Sequence, residues 1–274
     1  MGILKIIKIS RPLVWSFIPL VFFFGLYFSG ESLTLISLLQ MVSFTFPLCF
    51  YAYGINDIYD LKSDKINPRK SSELHGAKIT KADIQFIKRL SLFLIIIIFS
   101  ISLLTKNIEN IILTSLLIIT AYIYSVPPIR LKEKPPLDSI INGIGYVYLP
   151  AAIGFSYGNS IIDIPVKAYF LISCVIAIHA FSTLADYKAD SNAKQKTFAI
   201  RFGKMQTILF SLLIFMITAI FSGISSIIIN IYLYACIILL LINLLLPKEK
   251  VFQKSFIIIF LASLIFMFVY LISL

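Results

Sequence analysis

Nine mostly apolar runs follow one another along the chain, at 12–30, 33–56, 84–105, 108–126, 138–158, 163–185, 206–223, 225–246 and 253–273. Each is near the roughly 20 residues that carry a helix across a bilayer. In lipid every backbone N–H and C=O must be paired within the protein, which for separate runs of this length means helices. Composition agrees. Hydrophobic residues make up 59% of the 274 and charged residues only 14%, with a mean hydropathy of +0.96. Soluble domains carry about 25% charged residues. A soluble enzyme, a disordered chain and a disulfide scaffold are therefore excluded. The reading is an all-α polytopic membrane protein, one domain over 1–274, with nine transmembrane helices. The three cysteines, Cys49, Cys174 and Cys236, fall inside apolar runs and read as small buried hydrophobes.

The breaks have chemical causes. Ser29-Gly30-Glu31-Ser32 is a turn, Pro127-Pro128 stops the fourth run, Pro135-Pro136 opens the fifth, and Gly158-Asn159-Ser160 closes it. Ser222-Gly223 is the weakest break. The first run follows Lys5 and Lys8 as a signal peptide would, but its length and the runs behind it favour a retained helix. The formal charge of +11 is then an orientation signal and not a mark of nucleic-acid binding. All of the 24 Lys and Arg except Lys106 and Lys167 fall in the N-terminal tail, in the even-numbered loops or in the first turns of the runs that follow those loops. The positive-inside rule places that tail and those loops in the cytoplasm, and the C-terminus outside the cell membrane.

Two of the loops on that side, 57–83 and 186–205, are long and charged, and each begins with acids. Asn56, Asp60 and Asp64 are spaced i, i+4, i+8, with Asp57 three residues before Asp60. On a helix these oxygen-bearing side chains line one face. Asp186 and Asp190 repeat the i, i+4 spacing after the sixth run. Like charges on adjacent turns repel, an arrangement that makes sense around a divalent cation. Mg²⁺ takes hard oxygen ligands and shares them with substrate phosphates. Cations follow each cluster: Arg69 and Lys70; Lys194, Lys196 and Arg201; and, after the fourth run, Arg130 and Lys132. Metal with Arg/Lys clamps suits a diphosphate, while for any one of these cations a simple anchor at the membrane surface is the plainer role.

The pattern Asn56-Asp57-x-x-Asp60-x-x-x-Asp64 with Asp186-x-x-x-Asp190 resembles the signature pair of the UbiA-type intramembrane prenyltransferases. Arg11-Pro12, Asn67-Pro68-Arg69, Gly76 with Ile79-Thr80, Tyr124-Ser125 with Pro128, Arg130 and Lys132, and Thr197 with Gly203 fall at further family positions. The chain departs where the family often has Gly, at Lys194, and where it has a longer Arg-rich run, at Lys70-Ser71-Ser72-Glu73. The resemblance implies nine helices around a central cavity that opens to lipid, under a cytoplasmic Asp-rich cap. It also implies Mg²⁺ on Asn56, Asp60, Asp64, Asp186 and Asp190, holding a prenyl diphosphate donor for a lipophilic acceptor among membrane lipids. Asp57 joins the four metal-binding acids as a catalytic candidate. Arg69, Lys70, Arg130, Lys132 and Lys194 are the diphosphate-binding candidates.

Cleaving an allylic C–O bond leaves a cation that must be kept from water and can rest against aromatic faces. Tyr53, one turn before Asp57, is the first such ring, with Tyr124 and Tyr146 after it. Asn142 and His179 are the buried polar candidates for the acceptor site, although a histidine bonded across to a neighbouring helix is as ordinary a reading. The stretch from Tyr124 to Glu133 and Leu137-Asp138-Ser139-x-x-Asn142-Gly143 is most similar to the lycopene elongase branch, which makes a polyene the expected acceptor. An aromatic acceptor of quinone synthesis stays open. So do a cation-coupled transporter, since intramembrane carboxylates mark that class too, and a phosphatidyl-alcohol phosphotransferase, another Mg²⁺-dependent membrane enzyme.

Overall fold

Prolines, glycines and the polar caps Thr34, Asn107 and Ser226 mark many of the helix ends in the computed structural model, which describes residues 1–64 and 76–273. Helix makes up 79% of it, with no strand among the described residues. The helices are α1 (Ile3–Ile9), α2 (Phe17–Phe28), α3 (Leu35–Ser43), α4 (Phe46–Asp64), α5 (Ile84–Leu104), α6 (Ile108–Ser125) and α7 (Leu137–Gly143). Then come α8 (Leu149–Phe155), α9 (Val166–Ser182), α10 (Tyr187–Asn192), α11 (Phe198–Phe202), α12 (Lys204–Phe221), α13 (Ile227–Leu245) and α14 (Glu249–Ser273). Among the described residues six stretches are long and apolar enough to cross a membrane: Leu35–Leu61, Lys81–Leu104, Ile108–Ser125, Lys204–Phe221, Ile227–Leu245 and Glu249–Ser273. A seventh counts if the pair Ile3–Ile9 and Pro12–Phe28, bent by 51°, is one span.

Three of the expected runs are not the plain helices that their composition suggested. The first starts at Pro12 as expected, but it opens with a short 3-10 turn, Pro12–Val14, and stands bent by 51° from α1 at Arg11, the residue that the proline forces out of helical geometry. The fifth is divided into α7 and α8 by a π-helical segment, Ile144–Tyr148. The sixth stops at Ser182, before its acids. The second outlasts its apolar run, since α4 carries helical structure on through Asp64.

The chain forms two units. The first combines Met1–Arg130 with Gly145–Ile164; the second combines Leu131–Ile144 with Pro165–Leu274. In the first, α4 packs on α1, α3, α5 and α6, and α2 lies against α8. Gly25 and Gly154 make the α2–α8 approach possible: a Cβ on Gly25 would overlap the Ala151 carbonyl, and one on Gly154 the Phe22 carbonyl. Small residues serve this purpose between membrane helices. Buried polar groups are paired across helices: Gln40 donates to Asn110 Oδ1 at 2.8 Å, and the Tyr157 hydroxyl donates to Gln40 Oε1 at 2.7 Å.

In the second unit α9 packs on α7, α11, α12 and α14, with α13 between α12 and α14 in the contact order. Its core joins Cys174, Phe181, Phe215, Leu233, Cys236 and Phe252. All three cysteines are buried free thiols, as expected from their apolar settings. Large apolar side chains such as Phe93, Ile96, Ile220 and Leu245 stay exposed on the long helices. Apolar exteriors, with the buried polar groups paired inside, are what lipid solvent selects.

Candidate active site

The first acid cluster lies on α4 of the first unit, and each of its leading acids has an arginine. Asp57 is fully buried, and the Arg11 Nη2 stands 3.5 Å from its Oδ1. The same guanidinium lies over the Tyr53 ring, 4.0 Å from the centroid, so one face of the expected cation-stabilising ring already carries a cation. Tyr146 is the next ring, 6.4 Å from Tyr53. One turn on, Asp60 is 8% exposed, and Arg130 Nη2 donates to its Oδ1 at 3.1 Å while Nη1 donates to the Tyr59 carbonyl at 3.4 Å. Asn56 Oδ1 accepts from Ser125 Oγ at 3.1 Å. Asp64 is the half-buried last residue of α4.

Both arginines sit in left-handed backbone geometry, Arg11 at φ 52° and Arg130 at φ 42°. Non-glycine residues rarely adopt it, and it is held where surrounding structure over-determines it. Arg130 was expected in the site on sequence grounds. Arg11 was seen only as a family position and not as a site residue. Its signal was present: it is the last cation of the tail, directly before the proline that bends the chain.

The second acid cluster belongs to the second unit and is not the end of the sixth helix. After α9 breaks at Ser182, turns carry the chain to Asp186, and the pair is held by the short helix α10. Asp190 N donates to the Asp186 carbonyl at 2.9 Å, and Gln195 N donates to the Asp190 carbonyl at 2.9 Å. Asp190 is 8% exposed. Lys204 Nζ lies 4.4 Å from the centroid of the Tyr187 ring. Gly203 turns the chain from α11 into α12 at φ 89°, a conformation that costs glycine little. Lys194, the exposed cation at a position where the resembled family often has Gly, stands at φ 53°. The backbone there thus has the shape that glycine prefers.

The remaining candidates divide. Arg69 and Lys70 lie outside the described residues. Lys132 belongs to the short turn Leu131–Glu133 of the second unit, whereas Arg130 belongs to the first. Asn142 and Tyr146, both in the fifth run, fall to different units at the π-helical segment. Asn142 donates to the Asp138 carbonyl at 2.7 Å, and His179 Nδ1 is 3.1 Å from Ser139 Oγ on α7. His179 is thus bonded across to a neighbouring helix. Tyr124 is half-buried near the end of α6. A cavity of about 260 Å³ in the second unit is lined by Glu133, Pro135, Lys196, Ile200 and Arg201, and Arg201 Nη1 donates to the Pro135 carbonyl at 2.9 Å.

Within neither unit do three His, Cys, Asp or Glu side chains among the described residues gather into a metal pocket. The donors offered are carboxylates and one amide oxygen, with no thiolate or imidazole among them. That set fits Mg²⁺, which binds through a few carboxylates and completes its shell with water and phosphate oxygens. Arginines beside the acids suit a polyanionic ligand that arrives with its cation.

Comparison with known proteins agrees with this chemistry. The profile of the UbiA prenyltransferase family matches residues 16–264. A lycopene elongase/hydratase from Haloarcula japonica is 26% identical over 222 residues, covering 78% of this chain and 72% of that protein. One from Corynebacterium glutamicum is 27% identical over 77% of this chain and 74% of its own length. Among solved structures, a UbiA homologue from Archaeoglobus fulgidus bound to GPP and Mg²⁺ superposes with a TM-score of 0.70 at 20% identity, covering 97% of this chain and 98% of that one.

Proposed function

The chain belongs to the UbiA prenyltransferase family, and on that premise we propose that it moves an isoprenyl group from a prenyl diphosphate to a carotenoid-type polyene. It is a multi-pass membrane prenyltransferase, and its cofactor is Mg²⁺. The transporter and phosphotransferase readings fall with the family assignment. The observation that carries the donor site is the pairing of buried acids with arginines on one helix: Asp57 with Arg11 and Asp60 with Arg130.

In this reading Asn56, Asp60 and Asp64 hold metal from the first cluster, and Asp186 and Asp190 from the second. The bound Mg²⁺ supplies Lewis-acid neutralisation of the leaving diphosphate. Arg130 orients Asp60 and presents charge to phosphate oxygens, with Arg69, Lys70, Lys132 and Lys194 as further clamps. Asp57 holds Arg11 in place over Tyr53. The allylic C–O bond breaks with its electron pair going to the diphosphate. The π electrons of the acceptor close on the allylic carbon, and a proton is then lost from the product cation. Tyr53, Tyr124, Tyr146, Asn142 and His179 line the acceptor side, in apolar surroundings that keep water from the cation. One domain over 1–274, nine spans around a central cavity, an Asp-rich cytoplasmic cap and a cytoplasmic N-terminus with the C-terminus outside belong to the same proposal.

The polyene is favoured over an aromatic acid by the lycopene elongase/hydratase relatives and by the sparse intramembrane charge, since an apolar acceptor needs no cationic pocket. Membranes holding the protein are incubated with labelled dimethylallyl diphosphate and either lycopene or an aromatic acid. Label should enter the polyene, with diphosphate released in step. Label in the aromatic acid alone would replace the acceptor with the quinone type. Asp60→Ala and Asp186→Ala should insert normally and release no diphosphate; full turnover in either removes that acid from the reaction.

A further inference from the structure

We propose that Gln253, on the last helix, is a positioning residue for the second acid pair. The proposal rests on the reading that Asp186 binds the metal–diphosphate. Gln253 lies in the second turn of α14, half-buried at the charged start of the helix between Lys250 and Lys254. Its Nε2 donates to the Ala185 carbonyl at 3.1 Å, across 68 residues of sequence. That carbonyl belongs to the peptide that leads directly into Asp186. It lies beyond Ser182, where α9 has broken and the regular ladder of the helix no longer orients it.

The surroundings of this bond are closely packed. Phe252, next to Gln253, is fully buried and packs edge-on against Phe181 of α9 at 6.3 Å. Leu184 and Ala185 are almost wholly buried. On the exposed flank Lys188 of α10 and Glu249 of α14 approach to 3.5 Å. The far side of the loop is tied separately: Thr183 Oγ1 accepts from Ala199 N at 3.0 Å, and the Asp138 carboxylate accepts from the backbone of Phe198. The loop after Asp190 is thus anchored to α7 and to Thr183 just past the end of α9, while the peptide entering Asp186 is anchored to α14. Gln253 fixes the plane of that peptide and, through it, the direction in which the Asp186 side chain leaves the backbone. Mg²⁺ demands near-octahedral geometry, so a small rotation there weakens its grip.

The test uses the purified full chain with Mg²⁺ and inorganic diphosphate. Thermal stabilisation is followed as Mg²⁺ is titrated at fixed diphosphate, and diphosphate release from the donor is measured in parallel. Gln253→Met keeps the length of the side chain and removes the donor. It should raise the Mg²⁺ midpoint about tenfold in both readouts, the scale found when partners of metal ligands are removed, with turnover at saturating Mg²⁺ nearly unchanged. Gln253→Lys restores a donor and should bring the midpoint most of the way back. A lower melting temperature with an unmoved Mg²⁺ midpoint in Gln253→Met would show a merely structural amide and overturn the proposal. If Gln253→Met does not insert, Gln253→Glu, equal in size and without the donor, decides by the same midpoint. Failure of the underlying reading looks different: Asp186→Asn would keep both turnover and Mg²⁺-dependent stabilisation, whatever Gln253 does.

Discussion

Arg130 serves two acceptors at once, the Asp60 carboxylate and the Tyr59 carbonyl, from a left-handed backbone. A lysine presents one point of charge and cannot reproduce that fork. Arg130→Ala is expected to lower turnover about a hundredfold, the scale for losing one preorganised donor at a developing charge. Arg130→Lys should recover only a small part, and equal rates for Lys and Arg in a diphosphate-release assay would show that charge alone suffices. At this scale the sequence was legible where partners share a helix. The spacing of Asn56, Asp57, Asp60 and Asp64 implied one helix, and α4 holds them on one. It was not legible for Arg11, which meets Asp57 from far away in the chain. His179 read from sequence as acceptor site or as a cross-helix bond, and its 3.1 Å approach to Ser139 supplies the bond.

Elements obeyed their local chemistry except where packing overrode it. The proline pairs and Ser222-Gly223 stand at helix ends as expected, whereas the fifth run, continuous in apolar composition, contains a π-helical segment. Apolar periodicity does not register the change from i→i+4 to i→i+5 bonding, so that break was invisible. The contact between α2 and α8 is equally silent in sequence, although it explains why Gly25 and Gly154 are glycines. Gly154→Ala sets a methyl group against backbone, which no rotamer change can relieve. A loss of about 1–3 kcal/mol is expected, as for other overpacked sites, visible as a lower unfolding midpoint in detergent. An unchanged midpoint would mean that the two helices can separate without cost.

For the whole molecule, the sided distribution of Lys and Arg predicts a topology that single reporters can read. The three native cysteines are buried, at 1–3% exposed, so a cysteine introduced at a loop reports alone. Lys106→Cys should react with an impermeant maleimide from outside intact cells, and Lys248→Cys only after permeabilisation. The opposite pattern would invert the orientation, and reaction of both from outside would break the nine-span count. The sequence by itself determined the membrane class, the helical content, the acid spacing and the family. All of these follow from the character of residues along one segment and from the demand that lipid makes on every backbone group. Only tertiary structure decided which arginine meets which acid, since Arg130 and Asp60 are 70 residues apart. It also decided where a helix breaks and which amide steadies the approach to Asp186. Such contacts depend on how helices pack side by side, and two helices of equal hydrophobicity can pack in many registers.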